Sequence, residues 1–181
     1  QYAALYSETV TVQLENDFLP FLYPNQYVNF TPDSKASQLA LSLIDEDTVD
    51  VDALQQIYDY VVSNLTYDYE KADTVTTGYL PDVDETLKTG TGICFDYAAL
   101  TTAMLRSCDI PCKLQIGYAG DIKHAWIDVY IRSKGWVNQA VSFKGDTWTL
   151  MDPTFDSNSD DKEAIQDYIG DESNYTVQFT R

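Results

Sequence analysis

The sequence predicts an α+β domain, with helices in the first half of the chain and an antiparallel sheet in the second. In the segments 34–44 and 51–65, apolar residues recur at three- and four-residue steps, which is the period of a helix. From Lys113 onwards they alternate with polar residues, which is the period of a half-buried strand. Turn sequences such as S-K-G at 133–135 divide this part into consecutive strands, and helices followed by such strands indicate an α+β fold.

Three helices are predicted in the first part of the chain. Ser34 to Ile44 has an apolar face, and Val51 to Leu65 has a clearer one after an Asp-rich start that suits a helix N-terminus. Phe95 to Arg106 is apolar on nearly every side, which predicts a central, buried helix. Ahead of them, Glu8 to Leu14 alternates as a strand does. The polar stretch Glu70 to Gly92, which contains glycine and proline, is predicted to be a loop, mobile or functional.

Five strands are predicted beyond the central helix: Lys113 to Tyr118, His124 to Ile131, Trp136 to Phe143, Thr147 to Asp152 and Tyr175 to Thr180. A short helix is predicted at about Lys162 to Tyr168. Asp109 follows the central helix where a left-handed residue is often needed, and Pro111 prevents the helix from continuing. Three cysteines are too few for a disulfide scaffold, although Cys108 and Cys112 are spaced so that they could pair across this turn.

A chain of 181 residues, 44% of them apolar, is long enough for one domain with a substantial core. No internal repeat or low-complexity linker divides it, so residues 1–181 are predicted to form a single domain. Its parts are an N-terminal elaboration at 1–50, a core at 51–155 and a C-terminal helix and strand at 156–181. No signal peptide is recognisable at Gln1, and the chain begins with a strand-like stretch, so we expect a mature or trimmed product.

The net charge is −18, from 29 acidic and 11 basic residues. A field of this sign repels phosphate backbones and anionic lipid surfaces, and no apolar run has the length of a membrane span. The sequence therefore argues against nucleic acid as a partner and against membrane insertion. A cationic partner would be attracted, but a charge of this kind more often serves solubility.

Cys94 begins the predicted central helix, directly after T-G-T-G-I at 89–93. Aligned peptide dipoles and free N–H groups at a helix N-terminus favour a thiolate over a thiol. The Cys94 N–H is also placed to stabilise a developing oxyanion. The alternative on these local features is a small buried cysteine that packs, since free Cys is among the most buried residue types.

His124 is the sole histidine, so any imidazole general base must be this residue. It opens a predicted strand in which His124, Trp126, Asp128 and Tyr130 share one face, and the other face is aliphatic. A lone histidine is more often structural than catalytic. The position of His124, downstream of a cysteine at a helix N-terminus and on the same strand face as Trp126, favours a catalytic role.

Asp152 ends the strand predicted from Thr147. An aspartate there is able to accept the imidazole N–H and stabilise the imidazolium, although Asp-Pro-Thr is also an ordinary strand-terminating turn. A plain three-strand meander would place His124 and Asp152 at opposite ends of the sheet. A triad needs them at one end, so the His124 strand is predicted to pair directly, antiparallel, with Thr147 to Asp152.

The motifs between Thr89 and Phe155 follow a specific order. They are G-T-G-I-C-F-D-Y-A-A-L-T-T-A-M-L-R, I-P-C-K, G-Y, H-A-W-I-D-V-Y-I, G-W and W-T-L-M-D-P-T-F, with N-L-T-Y-D-Y upstream at Asn64 to Tyr69. In this order they resemble the transglutaminase-like superfamily. One departure is Asp109, which stands where that family commonly has Gly; Asp tolerates the left-handed conformation.

The resemblance implies a papain-like α+β fold in which a central helix led by the cysteine packs on an antiparallel sheet. It also implies a triad, with Cys94 as nucleophile, His124 as general base and acid, and Asp152 as orienting carboxylate. Papain itself is a poorer match, because its cysteine and histidine lie further apart in sequence. Tyr67 is a candidate second oxyanion donor, for which a core position is the simpler interpretation.

The sequence thus predicts a cysteine-dependent enzyme that acts on peptide or isopeptide amides of a protein or peptide substrate through a thioester. Hydrolysis is favoured over cross-linking, because transfer needs a site that excludes water. The predicted location is secreted or at a bacterial surface. The alternatives are a non-catalytic binding module that keeps the scaffold, and a piece of a larger adhesin in which Cys94 forms a cross-link.

No cofactor and no metal site is predicted. Asp156, Asn158, Asp160 and Asp167 loosely imitate a calcium loop, but Asp161 stands where such a loop requires glycine. One histidine and three cysteines are too few for an expected zinc site. The G-T-G segment lacks the rest of a dinucleotide fingerprint.

Overall fold

The computed structural model describes residues 6, 8–45, 47–138, 141–144, 147–150 and 175–181. Within these residues the chain forms five α-helices and eight strands. The helices are α1 (Lys35–Leu43), α2 (Asp50–Asn64), α3 (Tyr69–Thr74), α4 (Val83–Thr89) and α5 (Cys94–Ser107). The strands are β1 (Thr66–Tyr67), β2 (Thr91–Gly92), β3 (Cys112–Ala119), β4 (Ile122–Ile131), β5 (Gly135–Val137), β6 (Val141–Lys144), β7 (Thr147–Leu150) and β8 (Tyr175–Thr180). This mixture of helices and antiparallel sheet confirms the predicted α+β class.

Helix α5 is the centre of the core, as its apolar sequence predicts. Every residue from Asp96 to Arg106 is buried, and the helices α1, α2 and α4 and the strands β3 and β4 all contact α5. Leu100, Met104 and Leu105 are fully buried in it. Burial of a side chain of this size stabilises the folded state by about 1.5–3 kcal/mol.

The chain reverses direction directly after α5. Asp109 has the predicted left-handed conformation, with φ 56°. The buried Arg106 donates from Nε and Nη2 to the carbonyl oxygen of Cys112, at 3.0 and 2.7 Å, and so holds the start of β3 against the last turn of the helix. Strand β3 therefore runs back along α5, towards the end of the helix that carries Cys94.

The main sheet has the strand order β5-β4-β3-β8, and its neighbouring strands are antiparallel. On β4, Ala125, Ile127 and Val129 belong to the hydrophobic core around α5. Successive residues of a strand alternate between faces, so His124 and Trp126 lie on the opposite face of the sheet. The two predicted faces of this strand are confirmed.

The prediction that the His124 strand pairs directly with Thr147 to Asp152 is wrong for the part that the structure describes. Strand β4 is flanked by β3 and β5, and β7 pairs with β6 in a separate two-stranded sheet. Gly135, with φ 88°, turns the chain immediately after β4, so that the next residues pair back onto β4. The single strand predicted over Trp136 to Phe143 is accordingly two strands, β5 and β6, in two sheets.

The predicted strand Glu8 to Leu14 is not formed. No strand within the described part of the chain pairs with this segment, and Val10 and Val12 are each 69% exposed. Alternation indicates which residues a strand would bury, but a strand also needs a partner for its backbone groups.

The predicted loop Glu70 to Gly92 contains most of α3 and all of α4. Asp68 Oδ1 caps α3 by accepting from the N–H of Lys71 at 2.8 Å. Asp82 Oδ1 caps α4 by accepting two backbone N–H groups of its first turn, at 3.1 and 3.0 Å, and Gly90 ends α4 with φ 64°. Helices this short carry too few turns to show a periodic pattern, which is why composition indicated a loop.

The last strand, β8, is the one predicted over Tyr175 to Thr180. The helix predicted at Lys162 to Tyr168 and the calcium-like acidic residues lie outside the described residues. Among the described helices, none has the length and apolar character needed to cross a membrane.

Candidate active site

Cys94 is the first residue of α5 and packs, half-buried, against the core. The residue before it, Ile93, is extended, with φ −98° and ψ 174°, so the helix begins abruptly at the cysteine. No described residue accepts a hydrogen bond from the Cys94 N–H. A thiol and a backbone donor therefore lie side by side at the positive end of the helix dipole.

A short parallel ladder holds the segment that leads into Cys94. Strand β1 pairs with β2, with Tyr67 opposite Gly92, and the Asp68 N–H donates to the Gly92 carbonyl oxygen at 2.9 Å. A Cβ on Gly92 would lie 2.6 Å from the Cβ of Asp96, so only glycine fits against the first turn of α5. Tyr67 thus lies beside the nucleophile segment, partly buried, and its role as an oxyanion donor stays a prediction.

Asp96 closes the first turn of α5 through a buried hydrogen-bond network. Its Oδ2 accepts from the Ile93 N–H at 2.8 Å and from Lys71 Nζ at 2.7 Å, and its Oδ1 accepts from the Tyr79 hydroxyl. The Asp96 side chain is wholly buried, whereas Lys71 is 30% exposed. The sequence interpretation did not single out these three residues. The available signal was an acidic residue at the third helical position, which is half of a capping box.

His124 is buried at the start of β4, opposite Gly117 of β3. Its ring is stacked on Trp126, with centroids 6.2 Å apart and an 18° interplanar angle. The ring of Tyr175, from β8, lies 6.5 Å from His124 and 5.1 Å from Trp126. The imidazole is therefore held within an aromatic group built from two different strands.

Cys94 and His124 lie towards the same end of the α5–sheet layer, because β3 runs back along α5 and β4 starts where β3 ends. The His124 side chain lies on the face of the sheet opposite to the one on which α5 packs. Within the described residues there is no hydrogen bond between Cys94 Sγ and the His124 ring. Catalytic hydrogen bonds are often long before substrate binds, so this geometry leaves the Cys–His assignment a prediction.

Asp152 lies outside the described residues, so the third member of the predicted triad also stays a prediction. A different carboxylate, Asp128, shares the face of His124 on β4 and is buried. It accepts a hydrogen bond from Gln115 Nε2 of the neighbouring strand. Four residues along a strand separate it from His124, which is about 13 Å, so Asp128 lies too far along the strand to orient the imidazole.

All three cysteines are free thiols, so Cys108 and Cys112 do not pair in this structure. Burial, followed by the charge of Asp109, raises the pKa of Cys108 to about 11. Burial raises the pKa of Cys112 to about 12, and its Sγ lies 3.5 Å from Thr102 Oγ1. Both thiols are therefore protonated at neutral pH and are poor nucleophiles, because the thiolate is the reactive form.

In the part of the chain that the structure describes, no three His, Cys, Asp or Glu side chains are grouped so as to hold a metal ion. The network at Asp96 is instead completed by a lysine ammonium and a tyrosine hydroxyl.

The chain is also similar to known proteins. It is 36% identical over 62 residues to UPF0252 protein MJ1282 of Methanocaldococcus jannaschii, a match that covers 32% of this chain and 18% of that protein. In overall fold it resembles a candidate cysteine protease from Cytophaga hutchinsonii, with a TM-score of 0.60 and 22% identity over 93% of this chain and 48% of the other. The periplasmic domain of TgpA from Pseudomonas aeruginosa gives a TM-score of 0.51 and 19% identity over 71% and 46% of the two chains.

The chain spans less than half the length of each of these relatives. The family model of the transglutaminase-like superfamily matches residues 37–153, a range that includes Cys94, His124 and Asp152. That range contains α5, β3, β4 and the segment that leads into Cys94. The chain belongs to the transglutaminase-like superfamily.

Proposed function

We propose that this chain is a cysteine-dependent hydrolase of peptide or isopeptide amides, with Cys94 as nucleophile, His124 as general base and acid, and Asp152 as orienting carboxylate. The observation that carries the proposal is Cys94 at the first position of the buried central helix, with its own N–H free of any acceptor among the described residues. Family membership supports a cysteine enzyme at this coarser level.

The first step forms a thioester. The Cys94 thiolate attacks the amide carbonyl carbon, a C–S bond forms, and the oxyanion accepts a hydrogen bond from the Cys94 N–H. The His124 imidazolium then gives its proton to the leaving nitrogen, and the C–N bond breaks to release an amine. What remains is an acyl group on Cys94 and a neutral imidazole.

The second step frees the enzyme. A water molecule attacks the thioester carbon while His124 takes a proton from it. The C–S bond then breaks, and the carboxylic acid leaves. A lysine amine in place of water would give an isopeptide cross-link. We favour hydrolysis because the half-buried Cys94 remains open to solvent, and transfer needs a site from which water is excluded.

A location outside the cytoplasm, secreted or at the cell surface, is part of the proposal. Its support is the likeness of fold to a domain that is periplasmic in Pseudomonas aeruginosa. The strongly acidic composition fits an extracellular protein as well, with a net charge of −18.

The second candidate is a catalytically silent binding module that keeps the scaffold. The observation that favours it is the burial of His124 within the ring group of Trp126 and Tyr175, which is also how a structural histidine is held. The two candidates differ in the state of the Cys94 thiol at neutral pH.

The deciding experiment is the pH dependence of alkylation by iodoacetamide, read by mass spectrometry on the peptide that contains Cys94. Cys108 and Cys112 give little background below pH 8, because burial raises their pKa values to about 11 and about 12. We expect fast labelling of Cys94 at pH 6, slowed about tenfold or more in His124→Ala, since a neighbouring imidazolium lowers a thiol pKa by a unit or more.

His124→Asn is the matched variant, since Asn occupies more of the imidazole space than Ala without being titratable. Equal slowing in both variants supports the Cys–His pair. Labelling that rises only above pH 8, alike in the parent protein and both variants, would overturn the proposal in favour of the binding module. In a protein that passes this test, glutamine peptides incubated with a lysine amine then separate hydrolysis from transfer.

A further inference from the structure

The buried carboxylate of Asp96 creates an electrostatic problem for the proposed nucleophile. It caps α5 by accepting the Ile93 N–H at 2.8 Å, and a negative charge at a helix N-terminus stabilises the helix. It also lies two residues from Cys94, where a second negative charge would form when the thiol ionises. A like charge nearby raises the pKa of an acid, so an uncompensated Asp96 would work against a thiolate.

Lys71 supplies the compensating charge. Its ammonium lies 2.7 Å from Asp96 Oδ2 and 4.6 Å from the centroid of the Tyr79 ring. Burial, the largest single influence, lowers the pKa of Lys71, but its interactions with Asp96 and Tyr79 together raise it by more, so the net shift is upward and the ammonium stays charged. The ammonium therefore lies directly against the Asp96 carboxylate as its counter-charge.

Tyr79 completes the network without adding charge. Burial, and then its hydrogen bond to Asp96, raise the pKa of the Tyr79 hydroxyl, which keeps it a neutral donor. Its ring also meets Phe95, the residue after the nucleophile, at 6.3 Å in an edge-on contact. Tyr79 thus fixes the position of the network against the first turn of α5.

The network is anchored to the segment before the helix. Lys71 belongs to α3, whose capping residue Asp68 donates its own N–H to the carbonyl oxygen of Gly92 at 2.9 Å. Among the described residues, the ionisable groups of this network and its anchor are therefore Asp96 on α5, Lys71 and Asp68 from α3, and Tyr79 from the chain that follows.

We propose that Lys71 is a positioning residue for the nucleophile: its ammonium neutralises the capping carboxylate of Asp96, so that α5 keeps its cap while Cys94 remains able to ionise. This inference rests on the proposed function, since it takes the Cys94 thiolate as the reacting group. It assigns to α3, in the segment that composition predicted to be a loop, a direct part in setting the reactivity of Cys94.

The test compares the pH midpoint of iodoacetamide alkylation at Cys94 in Lys71→Met, Asp96→Asn and the double variant. Lys71→Met leaves Asp96 unpaired, so the midpoint rises by about 0.5–1 pH unit and alkylation at pH 6 slows about three- to tenfold. Asp96→Asn removes the carboxylate and leaves the ammonium, so the midpoint falls by a similar amount. The double variant returns near the parent value.

Two control variants separate electrostatics from structure. Lys88→Met removes another lysine that is 2.8 Å from a carboxylate, Glu85, in an exposed pair on α4, and its midpoint stays at the parent value. Lys71→Arg keeps the charge and restores the midpoint that Lys71→Met loses.

Shifts of opposite sign in the two single variants support the proposal, because loss of structure would move both in one direction. Shifts of the same sign, or a Lys71→Met midpoint equal to that of Lys88→Met, would overturn it. Asp96→Asn keeps an oxygen acceptor for the Ile93 N–H, so its result stands even if Lys71→Met fails to fold. A failure of the proposed function differs from both outcomes: the parent protein itself would then label only above pH 8 and would not respond to His124→Ala.

Discussion

Gly117 faces His124 across the β3–β4 ladder, and β8 approaches closely because Gly117 has no side chain. A Cβ at Gly117 would lie 1.9 Å from the carbonyl oxygen of Thr176 and 3.0 Å from the Trp126 ring. The ring group that holds His124 therefore depends on a glycine in the neighbouring strand.

Gly117→Ala is expected to lower the free energy of unfolding by about 1–3 kcal/mol, because overpacking forces the backbone of β8 or the Trp126 ring to move. Urea unfolding measures this change. The control is Lys123→Ala in the same ladder, an exposed position where the change stays within about 0.5 kcal/mol. Equal stability of the two variants would contradict the close approach of β8.

Arg106→Met is expected to destabilise the fold by at least about 2 kcal/mol, since it leaves buried carbonyl groups without donors. The guanidinium donates to the carbonyl oxygens of Cys112, of Tyr23 at 2.8 Å and of Arg181 at 3.0 Å, and thus joins α5 to three parts of the chain. Arg132→Met is the control, because the Arg132 side chain is 73% exposed and lies 3.6 Å from Asp50. Although Asp50 itself is only 11% exposed, the Arg132 guanidinium stays in water, so the pair contributes about 0.5 kcal/mol or less. Denaturant unfolding measures both variants. If Arg106→Met and Arg132→Met lost the same free energy of unfolding, the stabilising role of the buried Arg106 hydrogen bonds would be contradicted.

Stability is expected to fall as the pH rises above 9. Burial raises the pKa of Cys108 to about 11 and of Cys112 to about 12, from an ordinary value of 9.0. Below pH 9 these thiols are protonated in both the folded and the unfolded chain, so they add no pH dependence. Between pH 9 and about 11–12 only the unfolded chain loses these protons, which lowers the free energy of unfolding by up to about 1.4 kcal/mol per pH unit for each thiol.

Cys112→Ala separates this effect from the other groups that titrate at alkaline pH, among them Lys71 and Tyr79, whose pKa values are also raised. The variant loses packing at pH 7, yet its free energy of unfolding declines less steeply between pH 9 and 10.5. Chemical unfolding at a series of pH values gives both slopes. If the free energy of unfolding declined equally steeply with pH in both proteins, ionisation of Cys112 would not be the cause of the alkaline loss of stability.

Asp82→Ala is expected to lower the free energy of unfolding by about 1 kcal/mol, because α4 loses the acceptor for two backbone N–H groups in its first turn. Asp82→Asn keeps an oxygen acceptor and should retain most of the stability. Thermal or urea unfolding of the two variants, compared at equal pH, checks the prediction. If both substitutions lowered the free energy of unfolding equally, the charge of Asp82 and not its capping hydrogen bonds would be what stabilises α4.

The parts of the fold that sequence predicted well are those whose cause lies within a few residues. Phe95 to Arg106 is apolar all round and lies within the buried helix α5. Asp109 follows a helix and precedes proline, and it adopts the left-handed conformation. Alternation on β4 separated the core face from the face of His124 without any knowledge of the sheet.

The predictions that failed concern partners that are remote in sequence. Glu8 to Leu14 has a strand pattern but no partner strand within the described residues, and β7 pairs with β6 rather than with β4. Strand pairing depends on which segment, remote in sequence, packs along a given strand edge. Local alternation carries no information on the identity of that segment. The short helices α3 and α4 were missed for a different reason, since capping groups rather than periodic apolar faces define them.

For the candidate site, the sequence by itself determined that Cys94 begins the central helix, that His124 is the one available imidazole, and that the chain resembles a known superfamily. The tertiary structure alone decided that Lys71 reaches Asp96, that Tyr175 covers His124, and that β4 lies between β3 and β5. The physical reason is the range of the interactions. A helix end is set by hydrogen bonds within one turn, whereas ion pairs and ring contacts between segments 25 or more residues apart exist only once the whole core has packed.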